Sequence, residues 1–211
     1  RRTEDLPQDF IKQISAIKSL IGEKKLIFFV PTFRDGQESS YYKFKEEEKE
    51  LLKSLLDKNN YILGIREHMV DSAKIYSSQL LKDVPSVYLS NDIFPNIEVI
   101  YRIADILITD YSSSFIDFTL TGKPSISFAF DLEYYLNKER GMFYDMDMVF
   151  PGHICYNFQD LMVTLQKTID GDFSKEKVEF TKKFFFKYID DLNSERVVNN
   201  IKNILCTEKR Q

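Results

Sequence analysis

Asp105-Ile106-Leu107-Ile108-Thr109-Asp110-Tyr111-Ser112-Ser113-Ser114-Phe115-Ile116-Asp117 is the stretch on which the reading of this chain turns. Its apolar run has no polar alternation, which is the pattern of a strand covered on both faces, and it passes through three serines into a helix. Serine is a good N-cap, and the free N–H groups of a helix start carry partial positive charge, so such a turn can cap its helix or hold an anion. One hydroxyl is enough for a cap. Three in a row leave Ser112, Ser113 and Ser114 hydroxyls to spare for phosphate oxygens. Asp117, one turn on, is placed to accept from a ribose or glycerol hydroxyl. Asp110 and Asp117 are also a conceivable metal pair, but no histidine or third carboxylate clusters with them, so metal binding ranks low.

Working outward, short apolar runs alternate with amphipathic helical stretches, the signature of parallel βαβ units. Strands are predicted at Leu26 to Val30, Tyr61 to Ile65, Ser86 to Leu89, Asp105 to Thr109, Ser125 to Phe130 and Ile154 to Tyr156. Helices are predicted at Asp5 to Ile21, with Pro7 in the first turn and Gly22 as the stop, and at Glu46 to Asn59. Further helices are predicted at Asn96 to Ala104, Ser113 to Thr121, Leu132 to Asn137, Phe158 to Ile169, Lys175 to Tyr188 and Ser194 to Leu205. The fold class is α/β, a Rossmann-like parallel sheet flanked by helices. The organisation is a lead-in helix over 1–22, a nucleotide-binding domain over 23–190 and a C-terminal helix over 191–211.

Composition narrows the function. The 211 residues are 43% hydrophobic and 29% charged, an ordinary globular balance. With 29 basic against 33 acidic residues the net charge is −4, so there is no global positive field for nucleic acid, and phosphate recognition has to be local. Seven glycines supply neither a GxGxxG fingerprint nor a Walker loop. No apolar run is long enough to span a bilayer. Cys155 and Cys206 have no metal or redox spacing. The 18 phenylalanines and 12 tyrosines fall mostly at strand or helix-face spacing, as core residues do.

In an open parallel sheet, ligands gather at the carboxyl ends of strands. After the first strand comes Pro31-Thr32-Phe33-Arg34-Asp35-Gly36, where Arg34 either clamps a phosphate or forms a solvated pair with Asp35. After the second comes Arg66-Glu67-His68, one of only two histidines. His68 either donates to a phosphate or shuttles a proton, or is a half-buried loop histidine bonded to a carbonyl. His153 starts a strand, at the wrong end for a site, and reads as structural.

The string from Ala104 through Asp117, followed by Lys123-Pro124, Asp131-Leu132-Glu133-Tyr134-Tyr135, Arg140-Gly141 and Pro151-Gly152, resembles the CDP-glycerol glycerophosphotransferases of bacterial teichoic acid and capsule synthesis. Pro31 to Asp35, Arg66 to His68 and Asp190 to Val198 also resemble that family's motifs, so the likeness runs from about Lys25 to Ile204. It implies the C-terminal, donor-binding half of a two-domain GT-B fold, with transfer of glycerol phosphate from CDP-glycerol to a hydroxyl of a lipid-linked or growing polymer and release of CMP. It implies that Arg34, Arg66, Ser112, Ser113, Ser114 and Asp117 bind the donor, and it supports His68 as the catalytic group of this half, a donor to the leaving phosphate. No cofactor is implied beyond the donor substrate. The implied partners are the lipid-linked polyol-phosphate or glycan acceptor and an N-terminal domain of the same protein, at the cytoplasmic face of the membrane.

One departure matters. The family's upstream histidine-glycine-threonine motif, source of the supposed catalytic base, is absent from these 211 residues, which implies a fragment that is inactive alone. Other readings stay open: a GT-B glycosyltransferase or epimerase with a different nucleotide donor, a non-catalytic nucleotide-binding module, or CDP-ribitol as donor. Lys182, Lys183 and Lys187 interleave with Phe184, Phe185 and Phe186, either against a bilayer or, as the fold favours, with the rings packed in protein.

Overall fold

The computed structural model describes residues 6–34, 40–71, 73–139 and 141–208. Asp35, Gly36 and Arg140, as well as the start of the first helix at Asp5, lie outside them. Six parallel strands, β1 (Lys25–Val30), β2 (Tyr61–Ile65), β3 (Ser86–Tyr88), β4 (Ile106–Thr109), β5 (Ser125–Phe128) and β6 (His153–Cys155), form one sheet in the order β3-β2-β1-β4-β5-β6. This is the doubly wound arrangement, and the order reverses between β1 and β4, which opens a crevice at their carboxyl ends.

The unbroken apolar strands have a direct explanation in the two cores. Ile27, Phe29, Leu63, Ile65, Ile106 and Ile108 face one side, under α2 (Glu46–Asn59) and α8 (Phe158–Ile169). Leu26, Phe28, Val30, Ile62 and Leu107 face the other, under α1 (Gln8–Ile21), α4 (Ile97–Ile103) and α5 (Ser114–Thr119). Each fully buried Leu, Ile or Phe contributes about 1.5–3 kcal/mol, so both faces have to be covered. β5 and β6 approach closely at their amino ends: a Cβ at Gly152 would stand 1.7 Å from the Ser125 carbonyl oxygen. Glycine is required there.

Several expected boundaries move. Pro7 precedes α1 rather than lying in its first turn. The lead-in helix packs on the sheet, with Ile17 and Ile21 buried in the domain core. Two short helices, α3 (Ile75–Leu80) and α7 (Met146–Val149), were not expected, since four to six residues are too few for a helical period to declare itself. α6 (Leu132–Lys138) falls where predicted. α9 (Lys175–Phe185) stops before Tyr188, and α10 (Asn193–Glu208) follows. Phe185 packs edge-on to Phe115 and Tyr144, as the packing reading expects, while Phe180 and Phe184 stay about half exposed. Among the described residues, no helix is long and apolar enough to cross a membrane.

Candidate functional site

At the mouth of the crevice the loops after β1, β4 and β5 are tied together by carboxylates. Asp110, at the end of β4, is 3% exposed. Its Oδ1 accepts from the Thr32 N–H (2.8 Å), from the Thr32 hydroxyl and from the Tyr111 N–H (2.6 Å), and its Oδ2 from Arg34 Nη2 (3.0 Å). Arg34 Nη2 also reaches Asp131 Oδ1 at 3.1 Å, an oxygen that accepts from the Tyr111 hydroxyl at 2.9 Å. The Asp110 carbonyl in turn accepts from Ser127 Oγ, and Thr109 Oγ1 donates to the Val30 carbonyl.

Arg34 is 1% exposed and packed among the Tyr111, Tyr135 and Phe130 rings, with Tyr111 and Tyr135 stacked at 4.1 Å. Burial opposes its charge, and the Asp110 and Asp131 carboxylates overcome that, holding it above its ordinary value. The clamp expected of this arginine is therefore turned inward. The two acids that hold it come from the loops after β4 and β5.

Arg66, after β2, is also inside. Its guanidinium donates to the Leu89 and Phe94 carbonyls (3.2 and 2.7 Å) and to Asn91 Oδ1 (2.8 Å), which shapes the turn leading from β3 to α4. Unlike Arg34, it has no carboxylate partner among the described residues. Burial lowers its pKa, with only the Tyr101 and Tyr88 hydroxyls opposing. Its charge is met by two carbonyls and an amide oxygen rather than by a carboxylate. Glu67 faces the other way: its Oε1 accepts from the Tyr76 and Ser77 N–H groups at the start of α3, and burial pushes its carboxyl up.

His68 is exposed, its ring 5.6 Å from that of Phe33 in the β1 loop. Its Nδ1 accepts from the Val70 N–H at 3.3 Å, which leaves Nε2 as the nitrogen not engaged by that bond. The Phe33 contact joins the β2 loop to the β1 loop, as Thr32 and Asp110 join the β1 loop to the β4 loop. His68 and the serine turn thus stand on one connected rim.

The serine turn differs from a simple cap. Ser113 occupies the N-cap position of α5, is exposed, and makes no side-chain bond to the helix. Ser112 Oγ accepts from the Ser114 N–H (3.3 Å) and pairs with Ser114 Oγ at 2.9 Å. Asp117 lies exposed on α5 toward α4, and its carboxyl is pushed up by the protein around it and then by Glu98. His153 sits exposed at the first position of β6, at the far end of the sheet. Among the described residues, no group of three or more His, Cys, Asp or Glu is arranged to hold a metal ion.

Sequence reasoning passed over Asp131, Tyr111 and Thr32 as working parts. Asp131 sits at the N-cap of α6, a position that would make any aspartate read as a cap, yet its side chain makes no capping bond. A forfeited cap is legible only once the partner, 97 residues away, is in view.

Comparison with known proteins supplies the family. Residues 3–203 match the profile described as CDP-glycerol:poly(glycerophosphate) glycerophosphotransferase. The chain is 32% identical over 189 residues to the teichoic acid glycerol-phosphate primase of Bacillus subtilis (strain 168), covering 88% of this chain and 45% of the primase. It is also 32% identical over 183 residues to the teichoic acid ribitol-phosphate polymerase TarL of Staphylococcus aureus (strain NCTC 8325 / PS 47), covering 86% and 31%. The solved wall teichoic acid polymerase TagF superposes with a TM-score of 0.68 at 23% identity over 97% of this chain and 48% of TagF, which shows the shared fold. The chain spans less than half the length of these relatives. The buried-strand string, the serine turn and the match over 3–203 agree: the chain belongs to the CDP-glycerol:poly(glycerophosphate) glycerophosphotransferase family.

Proposed function

We propose that this chain is the donor-binding half of an enzyme that transfers glycerol phosphate from CDP-glycerol to a hydroxyl of a teichoic-acid or capsule-type polymer, releasing CMP. The observation that carries this reading is the Ser112–Ser113 turn on the crevice rim, with Ser113 exposed, backed by Arg66, which has no carboxylate partner among the described residues. The acceptor oxygen attacks the β-phosphorus, the bond from that phosphorus to the CMP oxygen breaks, and the acceptor proton passes to a base contributed by the other half. Ser112, Ser113 and Ser114 receive the phosphates and Arg66 supplies favourable field from behind. His68 donates from Nε2 to the departing phosphate, and Asp117 accepts from a donor hydroxyl. Such transfers depend chiefly on positioning and electrostatics. Arg34 acts from within, neutralising Asp110 and Asp131 so that the rim loops hold their shape.

α10 presents Val197, Val198, Ile201, Ile204 and Leu205 on one face, each about half exposed. In this reading that face meets the other half of the protein, the acceptor is lipid-linked, and the intact enzyme works at the inner face of the cell membrane.

The test is calorimetric titration of the intact protein with CDP-glycerol, with CMP, CDP-ribitol and a UDP-sugar as comparisons and Ser112→Ala as control. Selective CDP-glycerol binding weakened by the substitution supports the reading. Equal affinity for the UDP-sugar sinks it. The resemblance to TarL, a ribitol-phosphate polymerase, favours one second reading, CDP-ribitol as donor, and a preference for that ligand would establish it.

A further inference from the structure

Asp131 breaks a local rule. It stands where an aspartate ordinarily accepts from the first turn of its own helix, and instead its carboxylate points inward to Arg34 Nη2 (3.1 Å) and the Tyr111 hydroxyl (2.9 Å). Its second oxygen, Oδ2, is buried without a hydrogen-bond partner, as are Arg34 Nε and Nη1. Local rules are broken in this way where a residue serves the site rather than its own element.

The residue held by this carboxylate is the last one before the serine turn. Tyr111 is gripped at two points, its N–H by Asp110 and its hydroxyl by Asp131, and its ring lies against both Tyr135 and the Arg34 guanidinium. Ser112 follows directly. The turn's position is therefore set by carboxylates brought in from the ends of two different strands.

We propose, on the reading that the Ser112–Ser114 turn seats the donor's phosphates, that Asp131 is a positioning residue. Through Arg34 and the Tyr111 hydroxyl it fixes where that turn stands over the crevice, touching no reacting atom itself. Its charge is what matters, because the guanidinium between Asp131 and Asp110 needs both acids to stay in place, and charge-assisted hydrogen bonds are about twice as strong as neutral ones.

The experiment measures donor KM, acceptor KM, kcat and thermal midpoint in the intact protein for Asp131→Asn, Tyr111→Phe and their combination, with Ser112→Ala and Ser113→Ala alongside. Asparagine caps a helix as well as aspartate does, so a capping role would be fully rescued by Asp131→Asn. Positioning predicts a donor KM raised about tenfold, the size of one charge-assisted hydrogen bond, with acceptor KM unmoved. Tyr111→Phe should move donor KM the same way by less, and the double variant should be no worse than Asp131→Asn alone, since both cut one path. An unchanged donor KM in Asp131→Asn overturns the role. So does a parallel rise in both KM values with a lowered thermal midpoint, or full additivity of the pair. Should Asp131→Asn fail to fold, an unchanged donor KM in Tyr111→Phe overturns it instead. If neither serine substitution moves donor KM, the phosphate seat itself is misplaced and the role falls with it. If they move it and Asp131→Asn does not, only the positioning role is lost.

Discussion

Asp110 and Thr32 meet across the point where the strand order reverses: one carboxylate oxygen accepts from both the backbone N–H and the hydroxyl of Thr32. The two residues are 78 positions apart in the chain, just past the carboxyl ends of the paired strands β1 and β4. That oxygen bridges the gap, and the other oxygen of the same group holds Arg34.

Removing this carboxylate should be among the most destabilising single changes in the domain. Asp110→Ala leaves the buried Arg34 cation with one acid instead of two and orphans the Thr32 and Tyr111 donors. Breaking a buried ion pair from one side costs about 3–5 kcal/mol. Urea unfolding at neutral pH, compared with Thr32→Val, should give a loss in that range for Asp110→Ala and a smaller one for the threonine. A loss below about 1 kcal/mol, the scale of an exposed pair, contradicts the cluster as described.

Ser113 separates stability from activity. Because it makes no capping bond, Ser113→Ala should leave stability within about 0.5 kcal/mol of the wild type, as for a surface change. If it is a preorganised donor to a phosphate oxygen, turnover by the intact enzyme should fall on the order of 10²- to 10³-fold. His68→Ala should behave likewise, and near-normal turnover there removes the role given to that ring.

Arg66 should matter to anions more than its burial suggests. At an effective dielectric near 20, two unit charges about 8 Å apart interact by about 2 kcal/mol, the scale at which Arg66 acts if the phosphates seat within that distance. Arg66→Met should therefore weaken CMP and CDP-glycerol binding by roughly tenfold or more, and titration calorimetry reads it directly. Arg66→Lys should recover only part of the affinity, because an ammonium cannot reach the Leu89 and Phe94 carbonyls and Asn91 together.

Glu67 sets a pH dependence of definite sign. Burial raises its folded-state pKa above the ordinary value of 4.5, so the folded protein binds this proton more tightly than the unfolded chain. Its contribution to stability is then greatest below the ordinary value and falls as pH rises toward the raised one. Glu67→Gln removes the titration while keeping an oxygen for the Tyr76 and Ser77 N–H groups. The stability of the variant minus that of the wild type should increase with pH from about 4 upward, and a flat difference would place Glu67 in water.

What the sequence disclosed and what it withheld divide by distance along the chain. β1, β2 and β4 were legible because doubly covered strands are written as unbroken apolar runs, and the bounds of α2 and α8 match because their periods run over three turns or more. The serine turn was legible as a local strand-to-helix signal. The fate of Arg34 was not: Pro31 to Gly36 says nothing about Asp110, 76 residues on, or Asp131, 97 residues on. Arg66 was hidden for the same reason, its acceptors lying 23 to 28 residues downstream. Two loop arginines looked alike in sequence, yet one is braced between two carboxylates and the other, among the described residues, by carbonyl and amide oxygens alone.

The uncapped start of α6 has a consequence for how the site can be watched. With the Asp131 side chain committed elsewhere, the Leu132 N–H keeps only a long backbone bond to the Ala129 carbonyl (3.3 Å), and the Glu133 N–H receives no cap from Asp131. Their solvent exchange is therefore governed by how firmly the adjoining carboxylate cluster holds the start of the helix. Deuterium uptake at those two amides should slow on donor binding if the rim seats the donor and stiffens the cluster beneath it, a readout that needs no label in the crevice itself.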